Sequence, residues 1–110
     1  MEIELEPEYR IEISTQFYDS LDEILRYLLE VSLKTHEGFK KDIVNCIDKL
    51  YVHPLAHPIL RTVNTKRNYR HINFKKSYHL IYYIDNNTIF LCDIQHVKRN
   101  PKTLKSLDEI

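Results

Sequence analysis

The hydrophobic period of this chain changes twice, from two to about 3.6 and back to two, and that order restricts the folds open to it. Residues 9–14 alternate, with Tyr9, Ile11 and Ile13 on one side and Arg10, Glu12 and Ser14 on the other. That alternation predicts a half-buried strand. From Tyr18 the spacing becomes three and four: Tyr18, Leu21, Leu25, Leu28, Leu29 and Ser32 share one face of a helix. Ser14, Thr15 and Asp19 are alternative caps for it, and Asp22 and Glu23 place negative charge near its positive end. The helix is expected to stop near Lys34. The lone Gly38 then marks a break before a second helix carrying Phe39, Ile43, Cys46, Ile47 and Leu50. Pro54 closes that helix, because the residue before a proline is biased out of the helical region.

Beyond Pro58 the strand period returns. Residues 59–63 form a short candidate strand and 64–68 a turn, followed by strands over 69–74, 78–84 and 88–97. Lys75, Lys76 and Ser77 make one connection and Asp85-Asn86-Asn87 the other, with residue types that tolerate positive φ. Pro101 ends the last strand. The Glu-rich tip ahead of Pro7 is expected to fray, and the tail 102–110 to be a short helix or disordered. The order is β-α-α-β-β-β, an α+β class with two N-terminal helices packed on a mostly antiparallel sheet. The last two strands are apolar on both parities, so both sheet faces need cover. The helices can fully cover one; the other is expected to be a shallow groove of aromatic and basic residues.

At 110 residues the chain is expected to be one domain, 1–110. No apolar run is long enough to span a bilayer, and with Glu2, Glu4, Glu6 and Glu8 in place of a basic region no signal peptide is expected. Cys46 and Cys92 lie in apolar runs and read as buried thiols, which fits a cytoplasmic setting without a membrane partner. The net charge of zero conceals a split. Residues 1–60 hold 6 basic and 12 acidic side chains, and residues 61–110 hold 10 basic and 4 acidic. The basic half is a candidate surface for a phosphate backbone or an acidic partner.

Several residues in this order resemble the RelE/ParE family of toxins from bacterial type II toxin–antitoxin modules. They are Tyr69-Arg70, the strand from Tyr78 to Tyr83, the Asp85-Asn86-Asn87 turn, and Ile94 to His96 followed by Lys98-Arg99 and Pro101. The resemblance runs over about residues 9–101. It implies a growth-arresting toxin neutralised by a cognate antitoxin protein. RelE-like members cleave mRNA, usually on the ribosome and without a metal. ParE-like members poison DNA gyrase. The segment His96-Val97-Lys98-Arg99 is at least as ParE-like as RelE-like, and no aromatic residue follows Phe90.

Metal-free RNA cleavage needs a base, an acid and cations for the phosphorane. His96, at a strand end, is the candidate acid or base, because imidazole titrates near neutrality. Arg70 and Arg99 are candidate phosphate clamps, since a guanidinium can hold two oxygens. Tyr82, or its neighbour Tyr83, is a candidate hydroxyl donor or stacking surface. Lys75, Lys76, Lys98 and Arg67 are candidate nucleic-acid contacts. This arrangement requires Arg70 to face the groove and Tyr69 the core, and it requires Arg70 and His96 to reach one phosphate. Otherwise Arg70 is a structural residue that bridges an acid such as Glu12.

No metal or other cofactor is expected. His53 and His57 have the spacing of ligands on a helix, but Pro54 and Pro58 forbid the helix and no third ligand is near. A single Gly excludes a phosphate-cradling loop. His71 and His79 fall on strands expected to pair, and are expected to face each other across them. The resemblance, taken with these residues, implies a metal-independent endoribonuclease toxin acting on mRNA, with two alternatives: a DNA gyrase inhibitor without nuclease chemistry, or an inactive antitoxin-binding module.

Overall fold

A computed structural model describes residues 9–60, 67–75 and 77–97. Strand β1 (Arg10–Ile13) leads into helices α1 (Thr15–Val31) and α2 (Leu33–Val52). Strands β2 (Arg70–Phe74), β3 (Tyr78–Asp85) and β4 (Thr88–His96) follow. The sheet order is β1-β4-β3-β2, with β1 parallel to β4 and the other pairs antiparallel. The class is therefore α+β in the order β-α-α-β-β-β, with both helices on one face of the sheet.

Ser14 decides where α1 begins. Its hydroxyl accepts from Phe17 N at 3.0 Å and donates to Cys92 O at 2.6 Å. The cap, worth about 1 kcal/mol, is thereby fastened to β4, and α1 starts one turn before Tyr18. The break between helices falls at Ser32, which ends α1 through its backbone N–H and caps α2 by accepting from Thr35 N. Gly38 does not mark the break; it lies inside α2. Burial of Phe39, Ile43, Cys46 and Leu50 carries the helix through the position where a glycine weakens it. Helix α2 ends at Val52, with His53 as its cap ahead of Pro54.

The main core lies between helices and sheet. Phe17, Leu28, Phe39, Ile43, Cys46 and Leu50 meet Leu80, Tyr82, Ile89, Leu91 and Ile94. Burial pushes the Cys46 thiol up to about 11, against a weaker opposing pull from Lys49, so it remains an unreactive SH at neutral pH. The β3–β4 connection is the Asn86-Asn87 turn, with φ of 47° and 60°, the paired positive angles of a two-residue hairpin. Of the short strand expected over 59–63, Ile59 bridges Arg70 antiparallel, and residues 61–63 lie outside the described residues.

One irregularity in β4 determines which way its end faces. Tyr82 pairs with Leu91, yet the preceding Ile81 pairs with Asp93, so Cys92 is an extra residue. Such a bulge reverses the alternation beyond it. Phe90 and Cys92 therefore pack on the face away from the helices, whereas Ile94 packs under them.

Candidate functional site

The sheet face turned away from the helices carries a smaller cluster: Tyr69, Ile81 and Cys92, flanked by Leu60, Tyr83 and Phe90. Tyr83 stacks on Phe90 with centroids 4.7 Å apart and planes at 15°. The Arg67 guanidinium also lies over the Tyr83 ring, 4.7 Å from its centroid, a cation–π contact. Beside this stack, Glu12, Ser14, Arg67, Tyr83, Phe90 and Cys92 line a cavity of about 220 Å³. Burial raises the Tyr83 hydroxyl above its ordinary value, opposed by the Arg67 charge. It remains protonated at neutral pH and available as a donor. Positive charge, a half-buried aromatic stack and a hollow walled by Glu12 thus adjoin on the sheet face away from the helices. Such a face can bind a partner through an aromatic anchor.

Of the residues expected to perform RNA cleavage, Tyr83 is on this face, whereas Arg70, Tyr82 and His96 are elsewhere. Tyr69, not Arg70, is on the open face. Arg70 shares the parity of Ile72 and Phe74, which pack against the helix-side core. Its Nη1 donates to His57 O at 2.7 Å and Leu55 O at 3.2 Å, fixing the loop after α2 rather than bridging Glu12. Tyr82 is fully buried on the same side and donates to Pro54 O at 2.5 Å. Burial pushes its hydroxyl far up, and with that hydroxyl given to Pro54 O and the ring buried, it offers a nucleic acid neither a donor nor a stacking surface.

His96 lies at the other end of the sheet. Its register partner is Tyr78, four residues along β3 from Tyr82, the partner of Arg70. That offset separates the backbones of Arg70 and His96 by about 13 Å along the strands and about 10 Å across them. Turned by the bulge, His96 meets the Tyr78 ring edge to face at 5.5 Å. The two line a groove of about 340 Å³ with Glu23, Ile24 and Tyr27 of α1. Arg70, Tyr82 and His96 are not brought together.

The described basic candidates also separate. Lys75, at φ 55° in the β2–β3 turn, pairs with Asp42 of α2 at 2.7 Å. Arg67 is on the open face. Lys76, Lys98 and Arg99 lie outside the described residues. Among the described residues no three His, Cys, Asp or Glu side chains are placed to hold a metal ion. Sequence reasoning missed Phe90 as half of the stack and Glu12 and Ser14 as walls of the cavity. The available signal was the apolar character of β4 on both parities.

A sequence model of the ParE toxin of type II toxin–antitoxin systems, parDE, matches residues 11–101. The chain belongs to the ParE toxin family. Among solved structures, the toxin resembles a chain of a chromosomal ParDE toxin–antitoxin system from P. aeruginosa, with a TM-score of 0.68 and 15% identity over 83% of this chain and 98% of that one. It also resembles a double arginine-to-alanine mutant of the E. coli toxin RelE in the free state, with a TM-score of 0.53 and 18% identity over 94% and 99%. At these identities the likeness is one of fold. No curated protein matches the sequence significantly. Family membership implies a cognate antitoxin partner. No helix among the described residues is long and apolar enough to cross a membrane.

Proposed function

We propose that this toxin arrests growth by binding DNA gyrase, without cleaving RNA, and that its cognate antitoxin prevents that binding. The observation that carries this reading is the commitment of Arg70 to the carbonyls of Leu55 and His57, far from His96. A metal-independent ribonuclease needs its acid, base and phosphate clamp around one phosphate. The match to ParE toxins favours the same choice between targets. The open face, with Arg67 over the Tyr83–Phe90 stack, is the surface assigned to the target.

The test is to incubate antitoxin-free toxin with DNA gyrase and relaxed plasmid, and in parallel with mRNA, with and without ribosomes. Loss of supercoiling with intact RNA is the expected result. Cleaved RNA with unaffected supercoiling would establish the endoribonuclease instead. Neither effect, together with expression that leaves growth unchanged, would leave an antitoxin-binding module.

A further inference from the structure

The sheet face away from the helices holds a second group of titratable side chains, outside the surface proposed for the target. His71 of β2 pairs in register with Ile81, two residues beyond His79 of β3, so the two histidines are diagonal neighbours. Their Nδ1 atoms are 3.4 Å apart, and the rings meet edge to face with centroids at 5.5 Å. Facing ring nitrogens bond only when one carries a proton and the other offers a lone pair. The contact therefore suits two neutral rings of opposite tautomer, and it tolerates one proton more. A second extra proton leaves two donors and two positive charges at hydrogen-bond distance.

The surroundings resist that second charge on most sides. From the loop after α2 comes His57, whose Nε2 is buried without a hydrogen-bond partner among the described residues. Burial holds His57 below the ordinary histidine value, helped by the charge of Arg70 and by His53 and His71. Burial likewise lowers His79, with His71 adding to the effect. The opposing group is Asp93 of β4, which attracts charge on His79. Asp93 is 2% exposed, and its carboxylate already accepts from Ile94 N at 2.8 Å and Gln95 Nε2 at 2.9 Å.

Strand β2 is an edge of the sheet, and a strap hangs on its outer side. His71 N donates to Pro58 O at 3.1 Å, and Leu60 N donates to Tyr69 O at 2.7 Å. Arg70 holds Leu55 O and His57 O of the same segment. A disturbance at the histidine pair therefore reaches the segment from Pro54 to Leu60.

We propose that His71 and His79 form an acid-sensitive latch, in which double protonation breaks their bond and loosens β2 together with the strap from Pro54 to Leu60. The sign follows from the direction of the shift. A histidine held below its ordinary 6.5 in the folded state binds its proton less readily there than in the unfolded chain. Its contribution to stability is present above about pH 6.5 and is lost as pH falls below it.

Amide hydrogen exchange at positions 60 and 71, referred to Leu91 of β4 and corrected for intrinsic rates, tests the latch between about pH 7 and about pH 5. In the wild type, protection at both positions is expected to fall about tenfold or more relative to Leu91. In the double variant His71→Asn/His79→Asn, whose amides can bond across the strands but do not titrate, protection is expected to hold. An equal fall in both proteins, or none in the wild type, overturns the proposal. If the double variant does not fold, ring titration of wild-type His79 by NMR decides. A ring titration that coincides with the loss of protection at positions 60 and 71 supports the latch, and one that leaves their protection unchanged removes it.

Discussion

Tyr82 and Tyr83 are adjacent on β3, yet they belong to the two different faces of the sheet. Tyr82 is sealed beneath the helix side, its hydroxyl bonded to Pro54 O. Tyr83 stacks on Phe90 and carries the Arg67 guanidinium over its ring, beside a cavity. The helix-side face is closed by two helices and filled with aliphatic and aromatic side chains. The opposite face mixes Ile81 and Cys92 with Asp93, Gln95, His71 and His79. The difference separates structure from function in a set of residues that look alike in sequence. Arg70 and Tyr82 hold the loop after α2 in place. Arg67 and Tyr83 sit on the other face, where the proposed function places the target.

The largest expected effect that tests this division comes from Leu80, fully buried on the helix side. Leu80→Ala is expected to destabilise the fold by about 2–5 kcal/mol in urea denaturation, as buried leucine truncations do. A loss below about 1 kcal/mol would mean that the two layers are loosely packed. Next come the paired hydroxyl deletions. Tyr82→Phe removes a buried donor from Pro54 O and is expected to lose about 1–2 kcal/mol. Tyr83→Phe is expected to change stability by less than about 0.5 kcal/mol. Equal losses would erase the contrast between the faces. The smallest effect is a gain. Nothing lies within 4 Å of a Cβ built at Gly38, in the middle of α2. Gly38→Ala is expected to stabilise by about 0.5–1 kcal/mol, read as a higher urea midpoint at an unchanged slope.

The element order was legible because each period is carried by particular side chains. Phe39, Ile43, Cys46 and Leu50 mark α2, and Asn86-Asn87 marks the hairpin that joins β3 to β4. What escaped the sequence depends on tertiary contact. Ser32, rather than Gly38, divides the helices, because its side chain caps α2 while its backbone closes α1. The extra residue at Cys92 carries no local signal, yet it turns the end of β4 over and takes His96 to the helix side. Tyr69 and Arg70 alternate as expected, but which of them faces the helices depends on the register of β2 against β3. Arg70 turns to the helix side and Tyr69 away from it, the reverse of the orientation expected from the sequence.

Growth arrest on induction tests the division of roles most directly, with Arg67→Glu and His96→Ala compared at matched levels of folded protein. Arg67→Glu reverses the charge above the Tyr83 ring, and His96→Ala removes the candidate acid or base. The account predicts that Arg67→Glu abolishes growth arrest while His96→Ala retains it. Arrest that survives Arg67→Glu and disappears with His96→Ala would contradict it.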